Sequence, residues 1–237
     1  MTKSIIALCG LLLLVSCKDE KPAGNLHITG NIEGLKQGTI YIKKIVDTSW
    51  VAIDTIKING DSHFESYIDI KSPEMYYLML DRGATSSIDD NLPFFAEPGT
   101  MNIDTELERF YANAKITGSK NQKLYEEYKK VNSRFTDENT ELMGEKLRAQ
   151  KLNKPERIDS LLQLQEKIIK RKYLYTTNFA LNNRNFEIAP YIALAEINDI
   201  NIKYLDTIQK AMSPKVAQSY YGKKLTEYTN ERKKAEK

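Results

Sequence analysis

Apolar and polar residues alternate with a period of two between Leu26 and Thr117, and then recur at helical spacing from Ser119 onward. The first region breaks into eight short runs rich in β-branched and aromatic residues: Leu26–Gly30, Thr39–Lys43, Trp50–Ile58, Ser62–Ile68, Met75–Leu80, Leu92–Ala96, Met101–Asp104 and Ala114–Thr117. Asn59-Gly60 between two of these runs predicts a tight hairpin, because both residues tolerate the positive φ of a type I′ turn. Glu97-Pro98-Gly99-Thr100 places Pro and Gly where a type II turn needs them. Short strands punctuated this way predict an antiparallel β-sandwich or open barrel over residues 26–117.

The second region, residues 118–237, predicts helices throughout, so the fold class is α+β. Ser119-Lys120-Asn121-Gln122 reads as a capping box, with the Ser hydroxyl taking a free N–H and the Gln reaching back. Leu124, Tyr128, Val131 and Phe135 follow on one face, and polar Thr136 to Asn139 predicts a break before a weaker helix ending near Leu152. Lys154-Pro155 starts a longer helix carrying Ile158, Leu161, Leu162, Ile168 and Ile169. Shorter helices are expected over Tyr191–Ile197 and Ile202–Met212. Ser213-Pro214 caps a final helix with Val216, Tyr220 and Leu225. Its polar end, Glu231 to Lys237, is expected to fray.

Ahead of both regions, Lys3 precedes an apolar run from Ile5 to Val15, too short to span a bilayer, which ends in Leu14-Val15-Ser16-Cys17. That ending resembles the lipobox of bacterial lipoproteins. The resemblance implies a signal peptide over residues 1–16, cleavage between Ser16 and Cys17, and acylation of Cys17. It also implies a membrane contact through several acyl chains, which hold a protein where one chain does not. Residues 17–25 then form the lipidated Cys and a polar tether. Within it, Lys18-Asp19-Glu20 resembles a surface-export signal of outer-membrane lipoproteins, which places the expected location on the bacterial outer membrane, surface-exposed rather than periplasm-facing.

Cysteine count narrows the chemistry. The chain has two, Cys9 inside the signal and Cys17 at its end, so the remaining body has neither a disulfide nor a CxxC pair. Its two histidines, His27 and His63, lie in separate strands with no ligand spacing around them, so no metal or other cofactor is expected. Charge is uneven: residues 18–117 hold 10 Lys/Arg against 16 Asp/Glu, and residues 118–237 hold 24 against 16. The basic half reads as solvated helix faces rather than a nucleic-acid surface, because nucleic-acid-binding motifs are missing from the sequence.

For catalysis, Asp89-Asp90 and Glu106/Glu108 are the paired carboxylates a glycoside hydrolase would need, and they read as a turn and a strand exit. There is no Gly-x-Ser-x-Gly elbow and no phosphate-cradling glycine loop. Tyr41, Trp50, Tyr76 and Tyr77 are the aromatic residues placed to stack on a glycan or a protein partner.

Taken in order, Ile28-Thr29-Gly30, Asn59-Gly60 with Phe64, Phe94-Phe95-Ala96-Glu97-Pro98-Gly99 and Ile116-Thr117-Gly118-Ser119 resemble one family. It is the domain of unknown function that precedes the thioredoxin-like domain of envelope lipoproteins labelled as thiol-disulfide interchange proteins. The resemblance implies a β-domain followed by helices, and this sequence lacks the CxxC of the thioredoxin-like part. Three readings follow: a non-catalytic, lipid-anchored binding or scaffold module; an accessory that docks a separate thioredoxin-like protein through Val216, Tyr220 and Leu225; and an unrecognised hydrolase.

Overall fold

The computed structural model describes residues 24–83 and 87–236. The lipobox, Cys17 and the Lys18-Asp19-Glu20 signal lie outside them.

All eight expected strands form, most of them a few residues longer than their sequence pattern. They are β1 (Leu26–Glu33), β2 (Gln37–Val46), β3 (Ser49–Asn59), β4 (His63–Ile68), β5 (Glu74–Asp81), β6 (Asn91–Ala96), β7 (Gly99–Glu106) and β8 (Lys115–Thr117). They make two four-stranded sheets, ordered β4-β1-β7-β8 and β3-β2-β5-β6. Period-two burial puts Ile28 and Ile32 of β1 and Met101 and Ile103 of β7 on the inner face of the first sheet. Ile40 and Ile42 of β2, Leu78 of β5 and Phe94 of β6 face them from the second. The result is an open sandwich of two facing sheets.

Two strand-level expectations change. The first sheet is mixed rather than antiparallel, because β1 pairs parallel with β7 from Leu26↔Gly99 to Glu33↔Glu106. The Asn59-Gly60 turn makes no hairpin: β3 pairs only with β2, and β4 only with β1. Gly60 has φ +92°, but Asn59 is not among the positive-φ residues, so the type I′ geometry is not met. The turn instead carries the chain from one sheet to the other. The true hairpin of the second sheet joins β2 to β3 through Asp47-Thr48, with Asp47 in the left-handed region at φ 56°.

Six helices follow: α1 (Lys120–Lys151), α2 (Pro155–Asn182), α3 (Ile188–Glu196), α4 (Ile202–Ala211), α5 (Pro214–Ala217) and α6 (Tyr220–Ala235). The expected break in α1 is absent. Thr140 bonds back to the Thr136 carbonyl, and Asn139 accepts from Gln165 of α2 at 3.2 Å, so the polar stretch is part of a helix–helix seam. The single final helix is in fact two, since Ser219 caps α6 by accepting the Gly222 N–H. The polar end is also docked: Arg232 donates to the carbonyls of Asn198 and Ile200, both at 2.8 Å, and Lys233 pairs with Asp206.

What joins the halves is the outer face of β5 and β6. Met75, Tyr77 and Phe95 point away from the sandwich core and pack into a second core with Tyr128, Ile192, Leu205 and Leu225. Phe95 is fully buried, a contribution of roughly 3 kcal/mol from its ring alone. Gln122 does not reach back to its own N-cap as a capping box would. Its Oε1 accepts the Phe95 N–H at 2.8 Å and so occupies the free edge of β6.

Candidate functional site

β2 outruns its neighbour. It pairs with β5 only from Thr39 to Lys43, yet with β3 as far as Val46↔Ser49. Lys44 to Val51 therefore project as a two-stranded arm, a form that is marginal in water unless its side chains find support. Support comes from Trp50, which meets the edge of the Tyr77 ring at 4.7 Å and 81°. Trp50 is still half exposed, and Ile45, Val46 and Val51 beside it are 38–42% exposed. The register Lys44↔Val51 and Ile45↔Trp50 puts Ile45 and Trp50 on one face of the arm and Val46 and Val51 on the other, so each face carries an exposed apolar pair.

The arm overhangs α6. Asp47 at its tip shares a groove of about 420 Å³ with Leu194, Tyr220, Tyr221 and Tyr228, edged by Lys224 and Glu231. Tyr221 forms the floor: its hydroxyl accepts the Met75 N–H at 3.1 Å, and its ring meets Phe95, Tyr191 and Tyr220 edge-on. Burial raises the phenol pKa of Tyr77 and Tyr221, so both hydroxyls stay neutral hydrogen-bonding groups. An apolar arm beside a tyrosine-lined groove, with Asp47, Lys224, Glu227 and Glu231 at its edge, can stack and hydrogen-bond a partner.

Of the aromatic candidates, Trp50 and Tyr77 come together here. Tyr41 shares their face of the sheet, with the Lys43 ammonium 4.6 Å from its ring. Tyr76 does not belong to the platform: it points into the sandwich core with 2% exposure, and desolvation pushes its pKa up to about 12. Val216 and Leu225, read as docking contacts, are fully buried in the second core, where helix packing uses their whole surface. Tyr220 alone of that group reaches the surface, at the groove. Sequence reasoning missed Ile45, Val46 and Val51 because Lys43-Lys44 looked like a strand end. The β-branched run on both sides of Asp47-Thr48 was the signal available.

The opposite face of the molecule is polar. On the outer side of β1, β4 and β7, His27 stacks on Tyr67 at 4.3 Å, and Glu65 lies 2.6 Å from both His27 Nε2 and the Tyr67 hydroxyl. The Tyr67 and His27 bonds hold the Glu65 carboxyl below its ordinary range. Among the described residues, no three His, Cys, Asp or Glu side chains cluster as metal ligands. The paired acids have structural uses: Asp90 is buried and accepts from Arg82 at 2.5 Å, and Glu106 accepts from Asn113 at 2.9 Å.

Residues 26–125 match the family model of a domain of unknown function, DUF4369, and no thioredoxin-like domain is detected. The match takes in both sheets and the first turns of α1. No curated protein matches the chain.

Proposed function

Taking as premise that residues 26–125 are a DUF4369 domain, we propose that the protein is a non-catalytic, lipid-anchored binding module of the bacterial envelope. Its recognition surface is the β2–β3 arm with the groove on α6, and its ligand is an envelope protein or glycan. The observation that carries this reading is the arm itself: four large apolar side chains, two on each face, held out on two strands with which no third strand pairs. The lipobox ending at Cys17 supports the anchored location, and the Lys18-Asp19-Glu20 run supports display on the outer leaflet.

The test is photo-crosslinking in living cells, with a benzophenone amino acid at Val51 and, as control, at exposed Leu174 on α2. A discrete adduct from Val51 that is absent from Leu174 supports the proposal. Identical adducts from both positions, or none from Val51, would reject it.

A further inference from the structure

The α1–α2 hairpin has two flanks, and charge closes only one of them. On that flank Glu138 pairs with Arg171 at 3.1 Å and Glu145 with Arg157 at 2.5 Å, while the Arg171 guanidinium covers the Phe135 ring at 5.4 Å. Between the helices Gln165 bridges Asn139 and Lys146. The other flank has no such clamp. At i+4 and i+7 spacing it shows Thr136, Met143 and Leu147 of α1 and Leu162 and Ile169 of α2. The four apolar side chains among these are 42–54% exposed. Toward the body the flank opens into a groove of about 370 Å³ between Thr136, Ile169 and Tyr173 on one side and Ala195 and Asp199 on the other, with the Lys172–Glu196 ion pair in its wall.

We infer that this flank is the docking groove for one amphipathic α-helix that carries Lys or Arg along the edge facing α2. The shape calls for a helix. The stripe from Thr136 to Leu147 is about 17 Å long at 1.5 Å per residue, three turns of a third bundle member. An added strand has no sheet edge to pair with there, whereas a helix satisfies its own backbone. Rim charge sets the edge. The acids of α2 bordering the apolar row are Asp159 and Glu166, neither of which is in an ion pair; α1 borders it with uncharged Thr140 and Gln150 and, four residues beyond Leu147, with Lys151, so the acidic rim lies on α2 alone. A second copy of this chain is the poorer occupant, because its own flank brings two more acids to the same rim. This surface is separate from the β2–β3 arm and stands without it.

Fluorescence anisotropy of the full chain with two labelled synthetic helices tests the inference. Both peptides carry the same Leu seam; one is flanked by Lys, its twin by Glu. The Lys peptide should bind, and Met143→Glu or Leu162→Glu should weaken it about tenfold or more. The paired change Asp159→Lys with Glu166→Lys should transfer preference to the Glu twin. Leu164→Glu, an equally exposed leucine on the clamped flank, should change nothing, and circular dichroism checks that each variant keeps its helices. Binding of neither peptide, equal binding by wild type and Leu162→Glu, or no preference between the twins overturns the inference. So does a dimer in sedimentation that Leu162→Glu dissociates, which would assign the flank to a second copy.

Discussion

The side-chain amide of Asn121 donates to the buried carboxylate of Glu187 at 3.0 Å, and its oxygen accepts the Ile188 N–H at 2.9 Å. Glu97, from the β6–β7 turn, completes the junction by accepting from Ser119 Oγ at 2.8 Å and from the Asn121 backbone at 3.1 Å. Each carboxylate thus sits at a helix N-terminus, Glu97 at α1 and Glu187 at α3, where the helix dipole favours negative charge. One amide ties the sandwich to two helices. Asn121→Leu keeps the volume and leaves Glu187 without its close donor. It should lower unfolding free energy by about 3 kcal/mol in urea melts. A change under about 1 kcal/mol would show that the junction is held by the apolar core instead.

Alkali should unfold the protein through its tyrosines. Burial raises Tyr76 and Tyr125 to about 12, and raises Tyr128, Tyr191 and Tyr221 further. In the unfolded chain these phenols ionise near their ordinary value of 10.0. Folded values lie above unfolded ones, so this contribution is intact below pH 10 and is lost as pH climbs toward 12. Tyrosinate absorbance should rise in two phases, the second coinciding with loss of helical dichroism. A single phase in a still-folded protein would contradict it.

Two helical glycines should respond in opposite directions to Ala. At Gly222 a Cβ would lie 2.0 Å from the Val216 carbonyl oxygen, so α6 must move off α5, and we expect a loss of about 2 kcal/mol or more. At Gly144, in the middle of α1, nothing lies within 4 Å of the added carbon, and Ala should stabilise by about 0.5–1 kcal/mol. Thermal melts of the two variants decide it; melting points that shift the same way would refute the packing at Gly222.

Acylation at Cys17 is expected from the lipobox. Metabolic labelling with an alkyne fatty acid should mark the wild type, and Cys17→Ser should remove the label and leave the protein unanchored. A labelled Cys17→Ser protein would place the lipid elsewhere.

The body should have no disulfide reductase activity. Thiol–disulfide exchange needs an attacking thiolate, and residues 18–237 contain no cysteine. Insulin turnover by that body above a buffer control would contradict the argument.

The strands were legible from their β-branched and aromatic runs and, in β1, β4 and β7, from local alternation between core and solvent. Their pairing was not. Asn59-Gly60 signals a turn truthfully, but which sheet the next strand joins depends on where Phe64 and Ile68 find their core, a contact between distant segments. The parallel β1–β7 ladder is invisible for the same reason. Among the helices, Thr136 to Asn139 looked like a break because the partners of Glu138 and Asn139 sit on α2. The Glu231 to Lys237 end looked loose because Arg232 docks on carbonyl oxygens, which carry no side-chain signature. Trp50 was picked out from β-propensity and aromatic character. The arm that presents it came from Ile45 and Val46 continuing a strand that seemed to end at two lysines.

The place of β1 also decides how the molecule meets mechanical load. The first described strand is an inner one, laddered to β7 along its whole length and to β4 from Leu26 to Asn31. A pull arriving through residue 25 runs along β1, so it must shear both ladders together instead of peeling bonds off one at a time. Shear spreads the force over every rung, whereas peeling concentrates it on the last. A protein tethered by its N-terminus would therefore pass tension first into the β1 ladders, ahead of the helices that follow them in the chain.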